Sequence, residues 1–113
     1  MTTLTKKRVL IVEDDEEIRS SFGVIVNSSE RFFVVNTYAT CEDAIKHLNQ
    51  DKPDIILMDI GLPGGMTGIQ GTKIIKDKSP NSEIVMVTVY EDSELVFEAL
   101  KAGASGYITN SSR

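Results

Sequence analysis

Long apolar runs are missing from this sequence. No stretch approaches the roughly 18 consecutive apolar residues that a membrane-spanning helix needs, and Met1 to Arg8 lead into a short strand-like run rather than the apolar core of a signal peptide. A soluble, cytoplasmic chain is therefore expected, with no membrane partner. Cysteine is nearly absent: Cys41 stands alone, which excludes an intramolecular disulfide, and a single cysteine in an unsecreted chain reads as a reduced, partly buried thiol. His47 is the only histidine, so the clustered nitrogen and sulfur donors of a zinc site are lacking. Basic charge is sparse as well. Against a formal net charge of −5, lysine and arginine are scattered, and the one basic run, Lys6 to Arg8, reads as a solvated lead-in to the first strand. The footprint for gripping a phosphate backbone is missing, so no direct nucleic acid contact is expected. There is no glycine-rich dinucleotide fingerprint, no P-loop, no internal repeat and no low-complexity segment.

What remains is ordinary globular material. The 113 residues are 41% hydrophobic and 26% charged, which suits one domain over residues 1–113 with a single core. Short β-branched runs alternate with stretches of helical periodicity, the signature of βαβ units and an α/β fold with a parallel sheet. Five strands are expected: Arg8 to Val12, Phe32 to Thr37, Asp54 to Met58, Glu83 to Thr88 and Gly106 to Thr109. The first, third and fourth are almost continuously apolar, as strands covered on both faces must be, and belong in the sheet's interior.

Helices fill the gaps. Asp14 to Ser28 carries Ile18, Phe22 and Ile25 at helical spacing behind an acidic first turn, which complements the helix dipole. Thr40-Cys41-Glu42-Asp43 loosely fits a capping box, and Ala44, Ile45 and Leu48 place a second helix up to about Gln50. A third begins near Gly68 and ends before Pro80. A fourth, Asp92 to Ala102, holds Leu95, Val96, Ala99 and Leu100 and stops at Gly103. This β1-to-β5 order lacks a last helix over one side of the fifth strand. Either the native chain continues into that helix or a partner covers the surface, because an uncovered apolar face promotes association.

In an open doubly wound sheet, ligands bind beyond the carboxyl ends of the strands. There the sequence places Glu13-Asp14-Asp15 after the first strand, Asp59 after the third and Thr88 at the end of the fourth. Each acid alone reads equally well as helix-cap or loop chemistry. Together they repel one another unless a cation is bound. With oxygen donors only, that cation is Mg²⁺ rather than Zn²⁺. A carboxylate beside Mg²⁺ can act as a nucleophile toward phosphorus and form an acyl phosphate.

Four stretches now carry a resemblance: Val12-Glu13-Asp14-Asp15, Met58-Asp59-Ile60-Gly61-Leu62-Pro63-Gly64, the Thr88 strand end, and Gly103-Ala104-Ser105-Gly106-Tyr107. In this order and spacing the chain resembles the receiver domains of two-component response regulators over nearly its whole length. The resemblance implies a flavodoxin-like, doubly wound five-stranded parallel sheet in the order 2-1-3-4-5, the order known for a chemotaxis receiver. It makes Asp59 the phosphoacceptor, and Glu13, Asp14, Asp59 and the backbone carbonyl of Gly61 the ligands of Mg²⁺. Asp15 becomes a helix cap, and Thr88 and Tyr107 become a switch that biases the face formed by the fourth helix and fifth strand. The implied partners are a histidine kinase or phosphotransfer protein, with a homodimer as a further assembly. Such a domain assists its own phosphorylation and dephosphorylation and is a signalling module, not an enzyme. The Leu62-Pro63-Gly64 turn and the Gly103 to Tyr107 stretch are most similar to receivers fused to helix-turn-helix modules, so any DNA contact belongs to an output domain outside this chain.

Two features depart from the family pattern. Receivers usually carry a lysine three places after the aromatic residue, where this sequence has Asn110. An amide brings no positive charge and is shorter, so phosphoryl stabilisation and coupling are both expected to weaken. One residue missing between Thr109 and Asn110 would explain the anomaly as simply as a substitution. The loop Leu62 to Gly68 is about one residue longer than usual, and its added glycine suggests mobility. The alternative to a phosphorylated receiver is a pseudo-receiver interaction module, which Asn110 favours. A Mg²⁺-dependent phosphatase or a flavodoxin-like cofactor protein on the same type of sheet fits less well, because the chain has neither a dinucleotide fingerprint nor a pocket histidine as general acid.

Overall fold

Apolar strands separated by amphipathic helices build a layered α/β structure in the computed structural model, which describes residues 5–88 and 93–109. In chain order the elements are β1 (Lys7–Val12), α1 (Glu16–Asn27), β2 (Phe32–Tyr38), α2 (Cys41–Lys46), α3 (Leu48–Asp51), β3 (Ile55–Asp59), α4 (Gly68–Lys78), β4 (Glu83–Thr88), α5 (Ser93–Lys101) and β5 (Gly106–Thr109). The five strands form one all-parallel sheet in the order β2-β1-β3-β4-β5, as expected.

Side chains alternate across the sheet, so each strand supplies two faces. Leu10 and Val12, Ile56 and Met58, and Ile84 and Met86 share one face and are all 0% exposed. Cys41 and Ala44 of α2, Leu48 of α3, Ile75 of α4 and Ala99 of α5 close over them. Helices α2 and α4 approach closely here: a Cβ at Gly71 would lie 2.4 Å from Cys41 Sγ. Cys41 is thus a core residue, its thiol pushed up to about 12 by burial. The opposite face is covered by α1 above Val9 and Ile11, but Leu57 and Val85 are only half-buried and Ile108 is exposed.

Three expectations need correcting. The first helix starts at Glu16 rather than Asp14, because Asp15 is its N-cap and its Oδ1 accepts from Ile18 N at 3.0 Å. Its inward seam runs through Ile18, Phe22 and Val26, in steps of four, while Ile25 is 64% exposed. The second helix is broken at His47 (φ −109°, ψ 11°), whose ring stacks on Tyr38 at 5.1 Å while its Nδ1 lies 2.8 Å from Asp43 O. The helix expected fourth is therefore α5. Its expected start, Asp92, lies outside the described residues, and it stops at Gly103, whose φ of +118° suits glycine.

Candidate functional site

The strand order itself builds the site. β1 and β3 are parallel neighbours, with Val12 opposite Met58, so the residues that follow Val12 emerge beside Asp59 at the carboxyl edge. Glu13 is buried, Asp59 is half-buried and Asp14 is exposed. One ligand oxygen from each lies within 4.8 Å of the others. The backbone holds these acids firmly. Glu13 N donates to Tyr38 O (3.0 Å), Arg19 Nη1 donates to Glu13 O (2.8 Å), and Glu13 Oε2 accepts from Asp15 N (3.1 Å). Asp59 Oδ1 accepts from Gly61 N at 3.0 Å, and Ile60 N donates to Val87 O at 3.1 Å, which fixes the chain as it leaves the strand.

Electrostatics follow from this crowding. Glu13 is pushed up to about 8, first by burial and then by the neighbouring Asp59 and Asp14 charges. Burial also raises Asp59, against the hydrogen bond from Gly61 N, which favours its ionised form. A cluster held partly protonated at neutral pH by its own burial and repulsion is a set of hard oxygen donors that a divalent cation would relieve. The residues fit Mg²⁺.

The remaining expected residues divide. Thr88 ends β4 at the same edge and is buried. Tyr107 lies in β5, paired with Met86, and is half exposed at 50%. With Thr109 of β5 and with Ser93, Val96, Phe97 and Leu100 of α5 it lines a groove of about 530 Å³. Gly61 follows Asp59 at the mouth. Asn110 lies outside the described residues.

The loop after Asp59 is better tethered than its glycines suggest. Leu62 is buried, Met66 N donates to Glu42 Oε2 at 2.9 Å, and Thr67 caps α4 with Gln70 in a full capping box. At Gly68, α4 packs so tightly on Asp59 that a Cβ would lie 2.2 Å from the Asp59 carbonyl oxygen. The capping box is legible as Thr67-x-x-Gln70, whereas the Glu42 contact joins segments far apart in sequence and has no local signal.

Comparison with known proteins bears on the family and the fold. The response regulator receiver domain family matches residues 9–112. The chain is 35% identical over 101 residues to the oxygen regulatory protein NreC of Staphylococcus haemolyticus, covering 89% of this chain and 46% of that protein. It thus spans about half the length of the curated relatives it matches. Among solved structures, a two-component response regulator of the LuxR family from Aurantimonas sp. SI85-9A1 superposes with a TM-score of 0.88 at 30% identity, covering 96% of this chain and 76% of that one. The response regulator domain of Thermotoga maritima CheB gives 0.84 at 32% identity, covering 93% and 78%.

Proposed function

The chain belongs to the response regulator receiver domain family, and on that premise we propose that it accepts a phosphoryl group on Asp59 from a histidine kinase or phosphotransfer protein. The observation that carries this reading is the convergence of Glu13, Asp14 and Asp59 at the carboxyl edge, from two strands that the sheet makes neighbours. Glu13, Asp14, Asp59 and the Gly61 carbonyl would hold Mg²⁺, which supplies charge neutralisation for an anionic donor approaching an acidic site.

This chain's own residues do the rest. An Asp59 carboxylate oxygen attacks phosphorus, the bond from phosphorus to the donor's imidazole nitrogen breaks, and an aspartyl phosphate forms. The Gly61 N–H, already on Asp59 Oδ1, orients the carboxylate, so the other oxygen is the nucleophile. The new phosphoryl group adds roughly −1.5 to −2 charge and three acceptor oxygens. Thr88, at the same edge, is the hydroxyl that responds. Tyr107 on the neighbouring strand carries the change to the α5–β5 groove.

The domain occupies residues 1–113 of a longer cytoplasmic regulator whose continuation supplies the last helix and a helix-turn-helix output domain, and the homodimer is one assembly open to it. The length of the relatives supports that continuation. Asn110 favours a second reading, a pseudo-receiver that keeps the fold but takes up phosphate poorly. Intact-mass spectrometry after incubation with acetyl phosphate and Mg²⁺ separates the two. One added phosphoryl mass, absent without Mg²⁺ and in Asp59→Asn, is the expected result; a folded, Mg²⁺-binding chain without the adduct is the pseudo-receiver.

A further inference from the structure

The loop from Asp59 to α4 must cross the mouth of the site with two glycines in its middle, Gly64 at φ +61° and Gly65 at φ +112°. Such a segment is entropically costly to hold. Its near end is fixed by the Gly61 N–H on Asp59 and by buried Leu62, and its far end by the Thr67–Gln70 capping box. Between these anchors, among the described residues, Met66 N donates to Glu42 Oε2 of α2 at 2.9 Å, while Cys41 Sγ of the same helix meets Thr67 O at the loop's far end at 3.6 Å.

Glu42 is suited to that task. It sits in the first turn of α2 behind the Thr40 cap, so its backbone is rigid. Its side chain is exposed, and no ion pair engages it among the described residues. The carboxylate is held below its usual range by the Met66 N–H first and its own N–H second, so it remains an acceptor at neutral pH. Gly65 completes the fit, since a Cβ there would lie 2.7 Å from Glu42 Oε2. The glycine that lengthens the loop is therefore also what admits the carboxylate.

We propose that Glu42 is a positioning residue, a latch from α2 that holds the long loop in place and keeps Asp59 and Gly61 in register for cation binding and phosphoryl transfer. This rests on the receiver reading of Asp59. Two roles for Glu42 predict opposite signs. As a bare charge near an acidic site it would repel anionic donors, and its removal would speed phosphorylation. As a latch, it preorganises the loop, and its removal slows the reaction.

The test is a series in the full chain: Glu42→Ala loses reach and charge, Glu42→Asp keeps charge but falls short, and Glu42→Gln keeps the reach and an acceptor oxygen. Three quantities are measured: Met66 amide exchange in the metal-free chain, the Mg²⁺ dissociation constant, and the initial rate with acetyl phosphate. The Ala and Asp variants should exchange Met66 faster, bind Mg²⁺ more weakly and react about three- to tenfold more slowly, the worth of one net hydrogen bond. Gln should stay near wild type, and the Ala and Asp variants should remain folded, their thermal midpoints falling by no more than the few degrees that one net hydrogen bond is worth. Unchanged Met66 exchange, a rate that rises in Ala, or Asp outperforming Gln overturns the latch. A wild-type chain that takes up no phosphoryl group sinks the phosphoacceptor reading of Asp59 instead, while the exchange and Mg²⁺ arms still decide the latch.

Discussion

The two faces of the sheet are made by the same strands, yet they differ in how completely they are closed. On the α2–α4 side, burial is total from β1 to β4: Leu10, Ile56, Ile84 and Met86 are all 0% exposed. On the α1 side it is less complete: Ile11 is 0% and Val87 5% exposed, but Leu57 and Val85 are half-buried and Ile108 is 52% exposed. Among the described residues, one helix, α1, covers one end of that face. The lesson is that a continuously apolar strand does not by itself guarantee two covered faces; the helices decide which half of each strand becomes core.

That contrast can be broken by mutation, most severely on the closed side. Ile56→Ala should cost about 3–4 kcal/mol in urea unfolding, because the cavity it leaves is walled on all sides. A loss below that of a surface substitution would mean the face is not closed. Gly71→Ala should follow at about 1–3 kcal/mol, since the added methyl meets Cys41 Sγ between α4 and α2.

The carboxyl edge gives a pH signature. Glu13 is raised from 4.5 to about 8 in the folded chain. Below about pH 4.5 the group is protonated in both folded and unfolded chains, and its contribution to stability is fully present; as pH rises through about 8 that contribution is lost. The metal-free chain should therefore melt at progressively lower temperature between these values, and Asp59→Asn should flatten the slope. A flat wild-type profile would show that the mouth is more hydrated than its burial implies.

On the open side the same chemistry changes sign. Gly23→Ala in α1 meets no atom within 4 Å and should stabilise by about 0.5–1 kcal/mol, the reverse of Gly71→Ala. Smallest of all, Ile108→Ala should change the free energy of urea unfolding by no more than about 0.5 kcal/mol in this chain. Repeating that substitution in a chain extended by the proposed continuation sharpens the comparison: a cost that grows there identifies Ile108 as the floor for a further helix.

Much of this was legible in the sequence. The five strands follow from alternating apolar runs and the placement of Glu13, Asp14 and Asp59 from the acids that end the first and third, whereas the order of the sheet came from the family resemblance. The end of α5 at Gly103 was readable from one glycine. What escaped reading depended on contacts between distant segments. The break at His47 requires Tyr38 from another strand beneath its ring, and the inward seam of α1 through Val26 rather than Ile25 depends on how the helix lies on the sheet. The glycine-rich loop suggested mobility by composition, while its tether is a carboxylate from α2 that no local pattern announces.

The pairing of Val12 with Met58 has one further consequence, for folding kinetics. Glu13 and Asp59 become neighbours only when β1 and β3 dock in parallel across an intervening strand and three helices, a non-local closure of the kind that forms slowly. No fragment short of that docking contains both carboxylates in one place. On the proposed reading of Asp59, a chain caught half-folded, on the ribosome or after partial melting, accepts no phosphoryl group, because the acidic cluster comes into being with the fold.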